Sequence, residues 1–288
     1  MSLPFNFNGN VHADGKAVLL PSNRAFRYGD GLFESIRVFE GDMPFFDRHW
    51  RRLLAGMEVL KFEIPAHFSP NFFQNEISKL TDGQGNWRVR LTVSRSGGGL
   101  YTPEQNGPEF LIETSPLPVG PFELNPHGLT IGVYPAPLLP CLTPPALSNF
   151  KTCNALLFVL AGIFKKEKGW DDCLLLNTAG RVACGGSSNV FLVKNGGLVT
   201  PPLSEGCVAG TMREVVLELA DGLGIGCSES PVTLEDLAEA EGVFLTNAVQ
   251  GIRWAGLVTG AARLTGPGIS VTLVAALNAE MGRSRPAN

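Results

Sequence analysis

The chain has 288 residues, of which 44% are hydrophobic and 17% charged, with a formal net charge of −4. That length exceeds what one hydrophobic core usually organises, so one large or two smaller domains are open, and so apolar a composition excludes a disordered chain. The charge leaves no basic footprint for nucleic acid, and the longest apolar run, 155–164, is far shorter than the ~20 residues of a membrane span. No charged segment followed by an apolar stretch opens the sequence, so a soluble cytoplasmic protein with no nucleic-acid or membrane partner is the expectation. Cysteines 141, 153, 173, 184, 207 and 227 form no C-x-x-C pair and are expected to be mostly small buried hydrophobes.

In chain order, Gly31 to Phe39 alternates like a strand, Glu40-Gly41-Asp42 makes a turn, and Met43 to Phe46 continues as the hairpin partner. Asp47 is placed to cap a helix on which Trp50, Leu53, Leu54, Met57 and Leu60 recur at helical spacing. A second helix is predicted over about 71–80, and the alternation WRVRLTVS predicts a half-buried strand over 87–94. Gly97 to Gly99 must be a loop. The proline-rich passage from Pro116 to Pro126 has neither periodicity and is expected to connect two domains.

The second half opens with the strand LTIGVYPAP and a loop from Pro140 to Pro145. A helix over 153–168 follows, with Cys153, Leu156, Leu157, Leu160, Ala161 and Phe164 on one face. Strands are predicted at 173–177, 181–184, 189–193 and 198–200. Thr211-Met-Arg-Glu214 has the pattern of a capping box that opens a helix ending near Gly222 to Gly224, and Thr233-Leu-Glu-Asp236 opens a shorter one. No repeat or low-complexity segment is present. Mixed strands and helices around a proline-rich centre give an α+β chain of two domains, 1–118 and 127–288, with 119–126 as the link.

Few residues carry chemistry taken singly. Ala209-Gly210-Thr211 precedes a helix, where free N–H groups and the positive dipole end attract anions. Lys151, flanked by Phe150 and Cys153, is a candidate nucleophile if its ammonium form is disfavoured by desolvation; the alternative is a surface lysine. His12, His49, His67 and His127 show no metal-ligand spacing, and His49 is taken as a helix-surface or packing residue.

The order of several blocks is informative: YGDGLFESIRVFEG, RHWRRL, FKTCN, GRVACGGSSNVFLV, TPP, AGTMRE and FLTNAVQGI. Together they resemble the class IV aminotransferases, the fold-type IV pyridoxal-phosphate enzymes that include branched-chain and D-amino-acid aminotransferases and 4-amino-4-deoxychorismate lyase. The resemblance implies a two-domain D-amino-acid aminotransferase-like α+β fold and pyridoxal 5'-phosphate as cofactor. It implies a Schiff base on Lys151, which then moves the proton at the substrate α-carbon. Arg52 would bind the cofactor phosphate, with Gly210, Thr211 and Met212 at the helix start and Asn247 and Ala248 in the later turn. Tyr28, Phe33, Arg37, Arg90 and Tyr101 would line the substrate side, and two copies would form a homodimer.

Two positions depart from the family pattern. Cys184 stands where the family keeps a glutamate beside the cofactor's ring nitrogen, and a thiol of reference pKa about 8.5 is a poor substitute for a carboxylate. In RSGGGLY, from Arg95 to Tyr101, the arginine of either known carboxylate trap is missing, which leaves Arg37, Arg90 and Arg95 as possible carboxylate partners and solvent exposure of Arg88 and Arg90 as the alternative. An aminotransferase-like enzyme acting on an amino acid is the favoured reading. A lyase releasing pyruvate from aminodeoxychorismate and a cofactor-binding protein with weak or lost catalysis stay open beside it.

Overall fold

The computed structural model describes residues 3–13, 15–16, 18–81, 84–136, 139–141 and 146–283. The chain divides into two compact units: 1–121 together with 150–155, and 122–149 together with 156–288.

In the first unit the elements are β1 (Phe5–Phe7), β2 (Asn10–His12), α1 (Arg24–Tyr28), β3 (Gly31–Val38), α2 (Phe46–Val59), α3 (Pro70–Thr81), β4 (Trp87–Arg95) and β5 (Pro108–Pro116). The strands form one antiparallel sheet in the order β2-β1-β5-β4-β3, which leaves β3 at an edge. Alternation sets its two faces. Leu32, Ile36 and Val38 of β3 and Val89, Leu91 and Val93 of β4 pack with Leu53, Met57, Phe73 and Ile77 of α2 and α3 into one buried core.

The expected hairpin after β3 forms only a single bridge, Phe39 to Asp42, with Glu40 and Gly41 at positive φ. The chain then turns at once into α2, so Met43 to Phe46 is not a strand. Asp47 does not cap α2. The N-cap is Phe45 in the left-handed region, and Asp47 sits in the first turn, where its negative charge is favoured by the positive end of the helix dipole.

The second unit contains β6 (Leu129–Val133), α4 (Leu156–Lys168), β7 (Asp172–Leu176), β8 (Val182–Gly185), β9 (Asn189–Lys194), β10 (Gly197–Thr200), α5 (Thr211–Gly222), β11 (Cys227–Glu229), α6 (Leu234–Glu239), β12 (Gly242–Asn247), β13 (Gly251–Val258), β14 (Ala262–Arg263) and α7 (Ser270–Arg283). Its sheet runs β11-β10-β9-β12-β13-β6-β7-β8 with β14 added on β13. Residues 142–145 of the expected 140–145 loop and Pro137 of LTIGVYPAP lie outside the described residues. β6 itself ends at Val133.

Three expectations are corrected here. The helix predicted from 153 begins at Leu156, because Cys153 is held in an extended segment by its N–H bond to Gly31 O. The predicted face is split: Ala161 is buried, Leu157 packs against its cluster and Phe164 meets Tyr134, whereas Leu156 and Leu160 are 69 and 46% exposed and, with Val159 and Ile163 at 52 and 51%, form an outward apolar face. The capping box at Thr211 does not form. Gly210 is the N-cap and Thr211 the first helical residue, with no side-chain cap. The capping box at Thr233 and Asp236 does form, with reciprocal bonds of 2.8 and 3.2 Å.

Candidate active site

Lys151 is positioned by the free edge of β3. Phe33 N–H donates to Lys151 O at 2.8 Å, Cys153 N–H donates to Gly31 O at 2.9 Å, and Leu32 bridges Thr152. Segment 151–153 thus satisfies backbone groups that an edge strand would otherwise leave open. Gly29 explains why two distant motifs belong together: it ends α1 at φ 67°, and a Cβ there would come within 3.0 Å of Asn154. Only glycine combines that conformation with that approach.

The Lys151 Nζ lies 4.5 Å from the Phe33 ring centroid, and the Arg90 Cζ lies 3.9 Å from the same ring. Burial, together with the positive charge of Arg52, brings the Lys151 amine down to about 8, against the opposing pull of Glu34. A neutral amine is then accessible near physiological pH, as a nucleophile requires. Glu34, which the sequence did not single out, is bonded by Arg52 at 2.8 and 2.5 Å and by His49 Nδ1 at 2.7 Å. Burial pushes this carboxyl upward, but Arg52 and His49 outweigh it and hold it at about 2. His49 is therefore not on a helix surface. It is 2% exposed, and burial lowers its pKa although Glu34 pulls it upward.

The remaining first-unit candidates fall in two places. Arg37 is buried and donates to Gly120 O at 2.7 Å. Tyr28 and Tyr101 meet with ring centroids 5.6 Å apart, next to Arg24, which donates to the carbonyls of Gly98 and Leu100. Arg95 is not open to a substrate carboxylate: Asp30, Asn106 and the Leu60 carbonyl take its donors.

In the second unit, the start of α5 is shaped by close packing. A Cβ on Gly210 would lie 1.9 Å from Asn189 Oδ1, so the N-cap has to be glycine. Asn189 in turn donates to Val208 O at 2.9 Å, and it pairs in sheet register with Thr246. The Thr246 hydroxyl is buried and has no hydrogen-bond partner among the described residues. Asn247 closes the β12–β13 turn by accepting from Val249 and Gln250 N–H, with Ala248 between them. It also lines a cleft of about 290 Å³ with Lys165, Asp172, Ser187, Ser188 and Arg253.

Cys184 is 3% exposed on β8, in an apolar cluster with Leu139, Ala161, Cys173, Leu175, Ala183 and Cys207. The nearby buried carboxylate is Asp172, also missed in the sequence. It accepts from Cys173 and Gly186 N–H and from the Ser188 hydroxyl, so it braces the turn between β8 and β9.

These groups fit a phosphate-bearing aldehyde in part. Within the first unit the Lys151 amine suits the aldehyde and the Arg52 guanidinium a phosphate; within the second, taken by itself, the α5 start at Gly210 and the unsatisfied Thr246 hydroxyl suit an anion. Cys184 offers no carboxylate, and no other acidic residue stands between Asp172 and Glu205.

The class IV amino-transferase family model matches residues 31–255. A putative branched-chain-amino-acid aminotransferase of Methanocaldococcus jannaschii is 32% identical, over 85% of this chain and 84% of its own. An aminodeoxychorismate lyase of Bacillus subtilis is 30% identical, over 84% and 82%. The fold is shared with the branched-chain aminotransferase of Thermoproteus uzoniensis crystallised with norvaline, at 21% identity and a TM-score of 0.86 over 99% of this chain and 97% of that one. Members of this family are pyridoxal-phosphate-dependent enzymes, transaminases or aminodeoxychorismate lyases. The motif blocks, the β3-docked lysine and the match across 31–255 have one common source: the chain belongs to the class IV aminotransferase family.

Proposed function

We propose that this chain is a cytoplasmic transaminase that holds pyridoxal phosphate on Lys151 and acts on an amino acid as a homodimer. The observation that carries the reading is the Lys151 amine, lowered to about 8 and docked on β3 against Phe33. When bound, the cofactor supplies an aldehyde for the substrate amine and a ring that draws electrons from the α-carbon. The protein does the rest.

Arg52, with the backbone N–H groups of Thr211 and Met212 and the turn at Asn247-Ala248, would hold the phosphate. Glu34 fixes the Arg52 fork through two bonds, which restricts where the guanidinium presents its charge. Lys151 would take the proton from the substrate α-carbon and return it, a task suited to a group whose pKa lies near the working pH. Tyr28, Phe33, Arg37, Arg90 and Tyr101 would border the substrate. The exposed apolar face of α4, at Leu156, Val159, Leu160 and Ile163, supports a second copy packing there.

Lyase chemistry is the second reading, favoured by the 30% identity to the Bacillus subtilis enzyme. Paired assays separate the two: glutamate formed from 2-oxoglutarate with a branched-chain donor, against pyruvate and p-aminobenzoate released from aminodeoxychorismate. A cofactor spectrum that responds to no amine would favour lost catalysis instead. Cys184 bears on rate in every reading. Cys184→Glu is expected to shift the bound cofactor's absorption and speed single-turnover proton removal, and an unchanged spectrum and rate would show the position to be inert.

A further inference from the structure

The second unit holds a cleft of about 290 Å³ whose lining belongs wholly to that unit, with Lys165, Asp171, Ser187, Gln250 and Arg253 among its residues. Strand register separates it from the start of α5. Thr246 pairs with Asn189, the residue that presses on Gly210, whereas Leu245 and Asn247 point to the other face of β12 by the period of 2. Arg253 stands directly opposite Leu245 across the β12–β13 pair and shares that other face. The α5 start and the Arg253 cleft thus lie on opposite faces of one sheet.

Arg253 is the charge in this cleft that the fold leaves unanswered. It is half-buried, its Nε–H is withdrawn from water without an acceptor, and its guanidinium makes no hydrogen bond or ion pair among the described residues. The other charges are engaged. The Lys165 ammonium donates to Asp171 O at 2.8 Å, and Asp171 Oδ2 accepts from Thr130 N–H at 2.7 Å. Asp172 is taken up by Cys173 N–H, Gly186 N–H and the Ser188 hydroxyl. Either carboxylate would repel an anion, but Asp171 is exposed, where water and salt screen it, and burial pushes the Asp172 carboxyl up, toward its neutral form.

A partly desolvated cation without a counter-charge is unfavourable, and an arriving oxyanion would offset that cost. A guanidinium fork takes a carboxylate or a phosphate two-pronged. Beside it, the Ser187 hydroxyl and the Asn247 and Gln250 amides offer both donors and acceptors to hydroxyl groups. The volume lies at the lower end of ordinary ligand pockets, roughly 300–1,000 Å³, and suits a molecule of few atoms.

We propose that this cleft is a binding site, distinct from the α5 start, for a small hydroxylated acid whose phosphate or carboxylate sits on Arg253. The proposal goes beyond the transaminase reading and does not depend on it.

Calorimetric titrations of the full chain test it with two pairs of probes: inorganic phosphate against glycerol 3-phosphate, and acetate against glycerate. In at least one pair the hydroxylated member should bind more tightly, and the pair that responds identifies the oxyanion. One equivalent of pyridoxal phosphate should leave that affinity unchanged. Arg253→Gln should weaken binding about tenfold, the order expected of one lost charge-assisted contact. Arg253→Lys, which keeps the charge without the fork, should fall between, and it carries the same comparison if Arg253→Gln does not fold. Lys166→Gln, which removes an exposed charge from α4 outside the cleft, should bind as the wild type does. No binding of any probe, no gain from the hydroxyls in either pair, displacement by pyridoxal phosphate, undiminished binding in the Arg253 variants or an equal loss in Lys166→Gln would each overturn the proposal.

Discussion

At the scale of the residue, the Glu34–His49–Arg52 cluster has the clearest consequences. All three side chains are withdrawn from water, so removing one partner leaves charge without compensation. Glu34→Ala is expected to cost about 3–5 kcal/mol in urea unfolding. Its pH dependence has a definite sign. The folded-state carboxyl sits at about 2 against an ordinary 4.5, so its contribution is fully present above 4.5 and is lost as pH falls through that window. In Glu34→Gln this part of the acid limb should flatten, and an unchanged limb would show that other carboxylates carry it. Thr246 predicts the reverse behaviour. Its hydroxyl is buried without a partner, so Thr246→Val should stabilise the cofactor-free protein by about 1 kcal/mol. If the hydroxyl serves a ligand, the thermal shift that pyridoxal phosphate gives the wild type should shrink in the same variant.

At the scale of the element, the start of α5 depends on a missing side chain. Gly210→Ala forces a Cβ against Asn189 Oδ1, and the Asn189 bond to Val208 has to yield. A loss of about 1–3 kcal/mol, with weaker phosphate binding, is expected from overpacking here. Circular dichroism melts with and without inorganic phosphate would read both. The same helix shows how far sequence pattern reaches. AGTMRE marks the helix start, but TxxE reads as a cap because the pattern contains no sign of Asn189 pressing on Gly210. α4 failed for a different reason. Leu156, Leu157, Phe158, Val159, Leu160 and Ile163 leave it apolar nearly all round, so periodicity could not tell the inner face from the outer. The Glu34–His49 bond joins a strand to a helix 15 residues on, a pairing that neither period can signal. Lys151 was legible because the motif blocks keep their order along the chain. Its docking on β3, and the Asn154 contact that makes Gly29 necessary, are tertiary facts.

At the scale of the whole molecule, assembly and cofactor attachment are the two properties on which activity depends. The outward leucines of α4 make a contiguous apolar surface at residues spaced by three and four. Leu160→Glu, on this exposed face, is expected to shift the protein from dimer to monomer in light scattering without unfolding it; a dimer that persists would place the contact elsewhere. The central claim, that Lys151 is the amine that carries the cofactor, is tested most directly by borohydride reduction of the protein after incubation with pyridoxal phosphate, followed by peptide mass mapping. The adduct is predicted on Lys151, with formation rising as pH increases through about 8, where the amine loses its proton. An adduct on a different lysine, or undiminished trapping in Lys151→Ala, would contradict it.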